Sequence, residues 1–169
     1  MKKCLKCVNC SYVKEGKIVK AFASKVAVSI NAVVTCETSN VVYCISCKKC
    51  KIQYIGKTER EIKERISEHR GSINNDHIDK SVSLHFNSRG HKLSDFSFTV
   101  LEKVFNTCPE YLRKREEHWI QQFNTKYKGL NKISWRFPFL KLIALVKIFL
   151  SYKIQWSNHI FKLVLYNPI

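Results

Sequence analysis

Glycine and proline are scarce, with 5 and 3 copies in 169 residues. That scarcity excludes a collagen-like chain or a Pro-rich linker protein. Acidic residues are also few: 13 Asp and Glu stand against 30 Lys and Arg, for a net charge of +17. An imbalance of that size suits a polyanionic partner, and nucleic acid leads that class. Solubility, or attraction to a membrane surface, is the blander alternative. No apolar run is long enough for a confident span. Phe137 to Leu150 is interrupted by Lys141 and Lys147, whereas a membrane helix needs about 20 apolar residues. The opening MKKCLKC lacks the apolar stretch of a secretory signal. What is present is 45% hydrophobic residues, enough for the packed core of one ordinary domain.

Charge and cysteine divide the chain into three parts. Residues 1–38 read as a loose, Cys-rich arm. Residues 39–132 mix both signs of charge, as a folded surface does. Residues 133–169 form an apolar, basic tail without one acidic residue. A cationic amphipathic helix on a membrane is one reading of that tail; an extension unrelated to the core is the other. Cys4, Cys7 and Cys10 recur every three residues, as do Cys44, Cys47 and Cys50. Without secretion, such spacing reads as metal binding before disulfides or free thiols. Cys47 and Cys50 with His85 and His91 make two thiolates and two imidazoles, enough for a structural zinc site. Cys44 rivals Cys47, but strand alternation sends it to the face opposite Tyr43, where it is core. Cys4, Cys7, Cys10 and Cys36 form a weaker second set, because a 25-residue loop separates the last two.

The middle segment carries the periodic signals. Val41–Ser46 and Ile52–Gly56 read as an antiparallel hairpin, and Asp95–Val104 as a third strand. Val26–Val34 is apolar enough for a strand whose partner is not visible. Thr58 and Glu61 have the spacing of a capping box. The helix that follows carries Ile62, Ile66, His69 and Ile73 on one stripe. Pro109 can open a second helix with Leu112, Glu116, Trp119, Ile120 and Phe123 as its stripe, and Gly129 ends the turn beyond it. A carboxylate facing a core needs a cation. Glu116 therefore meets either a core-facing Arg or a divalent metal. Arg65 and His69, four apart, share a helical face. Arg65 either pairs with Glu61 or Glu68 or clamps a phosphate. Tyr43 and Tyr54 lie in the hairpin, where tyrosine is a good strand former regardless of function.

In order, the chain shows Val41-Val42-Tyr43, Tyr54-Ile55-Gly56-Lys57-Thr58, Arg65, His69, Arg115-Glu116, Trp119-Ile120 and Gly129-Leu130-Asn131. This series resembles the GIY-YIG nuclease domain over about residues 39–132. The Cys-bearing insertion between the tyrosine motifs, the LHF and GH histidines, and KGLNK resemble more narrowly the endonuclease domain of Penelope-like retroelements. The resemblance implies an α+β fold, with a small three-stranded antiparallel sheet flanked by helices and one catalytic face. It implies a divalent-metal-dependent endonuclease that nicks DNA by phosphodiester hydrolysis. A catalytically inactive zinc and nucleic-acid-binding remnant is the alternative. By motif match, Tyr43, Tyr54, Arg65, His69, Glu116 and Asn131 fall on the family's functional positions. Gly56, Lys57 and His77 join them in substrate binding.

In the implied mechanism Glu116 holds Mg²⁺ or Mn²⁺, and Tyr43 accepts a proton from the attacking water, directly or through the metal's water shell. Arg65 neutralises charge on the phosphoryl oxygens. Tyr54 and His69 position phosphate or water, Asn131 closes the site, and Gly56 permits a tight turn beside the tyrosine. Val41 stands where the family's first motif begins with Gly. DNA is the expected partner, with no small-molecule cofactor, no membrane and no evident protein partner. A nuclear location is expected of a retroelement-type nuclease.

Overall fold

The computed structural model describes residues 1–131, so the tail at 133–169 lies outside the described residues. The chain runs β1 (Ile18–Lys20), β2 (Ala27–Ser29), β3 (Val41–Cys47), β4 (Gln53–Thr58), α1 (Ile62–Asn74), α2 (Ser81–Phe86), β5 (Phe96–Lys103), α3 (Pro109–Gln122) and α4 (Thr125–Lys128). Strands β3, β4 and β5 make a three-stranded antiparallel sheet in the order β4-β3-β5. This is the α+β architecture expected. Among the described residues no helix is long and apolar enough to cross a membrane.

The central strand β3 explains the two-layer core. Its sequence VVYCISC is almost wholly buried, because helices cover both faces of the sheet. Val41, Tyr43, Ile45 and Cys47 face one core with Ile62, Ile66 and Ile73 of α1 and Phe86 of α2. Val42 and Cys44 face a second core with Ile55, Leu101, and Leu112 and Phe123 around α3. The period-2 alternation of a strand thus assigns Tyr43 to the α1 layer and Cys44 to the α3 layer. Cys44 is core, as its position opposite Tyr43 requires.

Residues 1–38 are not a loose arm. Met1, Val13, Val34 and Cys36 are buried in the same core as Tyr43. The missing partner of the Val26–Val34 run is β1, and the two strands pair Val19 with Val28. Each is only three residues long, too short to announce itself by periodicity. Their hairpin places Val19 and Ala21 in the α3 layer. Val13 also bridges Phe98 on the outer edge of β5, and Lys14 donates to the Phe98 carbonyl at 2.8 Å.

Helix α1 does not start with the expected capping box. Thr58 is the last residue of β4, and Glu61 flanks the helix without a side-chain capping bond. Carbonyls of the N-terminal segment do the work instead. Thr38 O accepts the Ile62 N–H at 3.0 Å, and Cys36 O accepts the Lys63 N–H at 2.8 Å. These are two of the four amide groups that a helix start leaves without intrahelical partners.

The last described residues close over β4, the edge strand. Leu130 N–H donates to Gln53 O at 2.8 Å. The Asn131 side chain grips Ile55 twice: its Oδ1 accepts from Ile55 N–H, and its Nδ2 donates to Ile55 O, both at 2.7 Å. Gly129 permits this approach. A Cβ there would lie 2.5 Å from the Gln53 carbonyl oxygen.

Candidate active site

One hydroxyl organises the α1 side of the site. Tyr43 projects from β3 beneath α1, where its ring stacks on Phe98 at 4.6 Å between centroids. Arg65 Nε donates to the Tyr43 hydroxyl at 2.8 Å, and His69 Nε2 lies 2.9 Å from the same oxygen. A phenol has one proton to give and accepts through its lone pairs. With Arg65 donating into the oxygen, the arrangement that also uses the phenolic proton sends it to His69 Nε2. In that arrangement the imidazole is neutral and carries its own proton on Nδ1. Burial, aided by the nearby Arg65 charge, pushes the His69 pKa down to about 3, which agrees with that neutral form.

Arg65 and His69 share a face of α1 as the four-residue spacing requires, and that face opens on a cleft of about 840 Å³. Tyr54, Arg60, Arg65, Glu68, His69 and His77 are among its walls. Of the two expected partners, Glu68 is the one Arg65 meets, at 2.7 Å. Glu68 also pairs with Arg60, while Glu61 turns to Lys63. Burial alone would raise the Glu68 pKa, but the two guanidinium groups hold it below the usual carboxylate range. Arg60 and Glu68 escaped the sequence reading as cleft residues; Glu68 lies one turn beyond Arg65, which was the available signal. His77 is exposed at the rim, 4.0 Å from Asp79.

Tyr43 itself is fully buried and does not line the cleft. Direct proton transfer from an attacking water to Tyr43 does not fit this geometry. Burial, then the neighbouring Tyr54, raise its pKa against the opposing Arg65 charge. Gly56 is not a turn residue either. It lies in mid-strand, opposite Tyr43, and a Cβ there would lie 2.5 Å from the Tyr43 hydroxyl oxygen. Its role is to leave room for the two tyrosine rings. Asn131 is likewise occupied with the backbone of Ile55, so it holds β4 and closes nothing over the cleft.

Glu116 approaches from the other layer. It is half-buried on α3, which packs against β4. Burial raises its pKa, while Lys57 and then Arg65 draw it down. The charge of Glu116 in turn helps raise the pKa of Tyr54, so the two layers meet electrostatically at β4. Among the described residues Glu116 has no ion pair within 4 Å. Arg115 and Glu117 are both committed elsewhere: Arg115 to Glu102 at 2.8 Å, Glu117 to Arg113. A half-buried carboxylate without a paired base fits a hydrated Mg²⁺, which takes one or two carboxylates and keeps several waters.

The hairpin turn and α2 build a separate cluster. Cys47 Sγ lies 3.5 Å from His91 Nδ1, and Cys50 Sγ lies 3.6 Å from His85 Nε2. All four donor atoms fall within 4.8 Å of one another. Zinc bond lengths give a tetrahedral S···N edge of about 3.6 Å, so the expected four residues form a cage of zinc size. Burial and the adjacent His91 lower the His85 pKa, favouring the neutral imidazole that a metal needs.

The model of the GIY-YIG catalytic domain matches residues 39–131, more than half of the chain. The chain belongs to the GIY-YIG family. The catalytic domain of the homing endonuclease I-TevI is similar in structure, with a TM-score of 0.46 and 20% identity over 54% of this chain and 96% of that one. No protein of curated function matches. The GIY-YIG domain is a nuclease domain, and the matched residues include both the buried Tyr43 and the cleft-lining Tyr54.

Proposed function

We propose that this chain is a divalent-metal-dependent DNA endonuclease that nicks one strand by hydrolysis, derived from a Penelope-like retroelement. The observation that carries the reading is the Arg65–Tyr43–His69 linkage at the wall of the cleft, with Glu116, which has no ion pair among the described residues, on the adjoining layer. The Cys-bearing hairpin turn and its two histidines support the narrower ancestry.

Glu116 would hold Mg²⁺ or Mn²⁺, with Lys57 opposing the rise that burial imposes on its pKa. When bound, the ion polarises the scissile phosphate and offsets charge on the leaving oxygen. Arg65 faces the phosphoryl oxygens, and a substrate phosphate takes over the guanidinium bonds that Glu68 holds in the free protein. His69 keeps Nε2 on Tyr43 and offers its Nδ1 proton to a phosphate oxygen. Tyr54 meets substrate and water in the cleft, whereas Tyr43 is a positioning residue that fixes Arg65 and His69. His77, beside Asp79, and Arg60, paired with Glu68, stand at the cleft as further contacts for the DNA backbone. Cys47, Cys50, His85 and His91 would hold a structural Zn²⁺ that ties the hairpin turn to α2. DNA is the proposed substrate, and a nuclear location follows only from the proposed retroelement ancestry.

A plasmid-nicking assay with Mg²⁺ tests this reading. Wild type should convert supercoiled to open-circular DNA, and Glu116→Ala should fail while still binding DNA, since many Lys and Arg side chains hold the phosphates. Equal loss in Glu117→Ala would show that the wrong carboxylate has been chosen. No nicking by folded, metal-supplied wild type would favour the inactive remnant.

A further inference from the structure

The four cysteines of the N-terminal segment converge far more closely than their spacing suggests. Cys4 Sγ lies 3.3 Å from Cys7 Sγ and 3.4 Å from Cys10 Sγ, and Cys7 and Cys10 are 3.6 Å apart. Cys36 completes the group, 3.8 Å from Cys10. All four Sγ atoms lie within 4.8 Å of one another. A zinc–sulfur bond of about 2.3 Å gives a tetrahedral S···S edge of about 3.8 Å. A disulfide can join only two of the four and requires a sulfur separation of about 2.0 Å.

The backbone explains how the first three reach one point. The chain from Val8 to Tyr12 winds as a 3-10 turn, and Cys10 N–H donates to Cys7 O at 3.2 Å. Leu5, between the first two cysteines, adopts a left-handed conformation at φ 61°, which folds Cys4 back toward Cys7. Cys36 arrives from the segment that caps α1. A tetrathiolate is soft and tetrahedral, which selects zinc or iron over hard cations. A zinc tetrathiolate centre carries a net charge of about −2, and Lys3 and Lys6 flank its ligands.

We infer that Cys4, Cys7, Cys10 and Cys36 form a second structural zinc site, distinct from the cysteine–histidine cage, which clamps the N-terminal segment onto the start of α1. The clamp has a defined route to that helix. The carbonyl of the ligand Cys36 accepts the Lys63 N–H. Asn9, inside the ligand loop, donates to Lys63 O at 2.7 Å and Ser67 Oγ at 2.9 Å, and accepts from Arg70 Nη1 at 2.8 Å. Arg70 also lies over the Tyr12 ring at 4.8 Å. Lys63 and Ser67 bracket Arg65 on the helix. Metal at this site therefore stabilises the helix that presents Arg65 and His69 to the cleft; that consequence for catalysis rests on the proposed nuclease function.

Elemental analysis of the reduced full chain should find about two zinc ions per molecule, falling to about one in Cys10→Ser and to about one in Cys50→Ser, which empties the other cage. Cobalt reconstitution of Cys50→Ser, in which the other cage is emptied, should show the intense thiolate charge-transfer absorption of an all-sulfur site. Exchange of the Ile62 and Lys63 amides should be at least about tenfold faster in Cys10→Ser. Unchanged zinc in Cys10→Ser, a wild type whose zinc is wholly lost in Cys50→Ser, iron in place of zinc, or fewer than the eight free thiols after chelation and denaturation would overturn the inference. The cobalt spectrum decides the matter even if Cys10→Ser misfolds, because Cys50→Ser keeps all four N-terminal cysteines. None of these readouts uses DNA, so a zinc-loaded protein that does not nick would refute the proposed function and leave this site standing.

Discussion

Protonating His69 should destabilise the fold over a defined pH window. Its Nε2 accepts the Tyr43 proton at 2.9 Å while Arg65 Nε donates into the same hydroxyl at 2.8 Å. A second proton on the imidazole would face the phenolic proton and lie close to a guanidinium. Burial and Arg65 accordingly hold the native pKa down at about 3, against about 6.5 in an unfolded chain. Between those values the unfolded state binds more protons at this position than the native state does. Stability is thus unaffected above about pH 6.5 and falls as the pH drops below it, with a limiting slope of about 1.4 kcal/mol per unit. From pH 6.5 to 5 the most His69 can cost is about 2 kcal/mol. The measurement is urea unfolding of zinc-saturated wild type and His69→Gln across that window, where most carboxylates remain ionised. Glutamine keeps an acceptor for Tyr43 but binds no proton, so its curve should be flatter by up to about 2 kcal/mol. Parallel curves would refute the assignment of a neutral, buried acceptor.

Arg65→Ala should lower kcat by about 10²-fold with little change in DNA affinity; a change confined to KM would assign Arg65 to ground-state binding. Gly56→Ala forces a methyl against both tyrosines, 2.5 Å from the Tyr43 hydroxyl and 2.8 Å from a Tyr54 ring carbon. It should cost about 1–3 kcal/mol by denaturant titration and suppress nicking. A variant as stable and active as wild type would show that the rings can shift. Asn131→Ala removes both grips on Ile55 and should cost about 1–3 kcal/mol, lowering activity through the displacement of Tyr54. Full activity together with lost stability would separate Asn131 from the site altogether.

The strands and helices that carry the site were legible because each has a strong periodic signal of its own. Val41–Ser46 and Asp95–Val104 differ from the observed β3 and β5 by a residue at each end or fewer. The pairing of Arg65 with His69 followed from helical spacing alone. What could not be read were contacts that depend on segments distant in sequence. The cap on α1 comes from Cys36 and Thr38 rather than from Thr58, because carbonyls supplied by another segment leave no trace in residue type. The complete burial of Tyr43 depends on α1 and Phe98 closing over it. An Asn after a Gly turn looks the same whether it meets substrate or a strand edge, and only the fold shows that Asn131 meets Ile55. Cys36 joins its three partners across 25 intervening residues, a distance that local spacing rules do not cover.

The clasp at the end of the described fold also bears on solubility. Strand β4 is an edge, and an edge with free amide and carbonyl groups is a template for another chain. Gln53 O and both backbone groups of Ile55 are instead taken up by Leu130 and Asn131. A fragment cut after Gly129 would retain every cleft residue yet expose that ladder beside Tyr54. Its expected failure is intermolecular strand pairing across the mouth of the cleft, so that oligomerisation and loss of DNA access would arrive together.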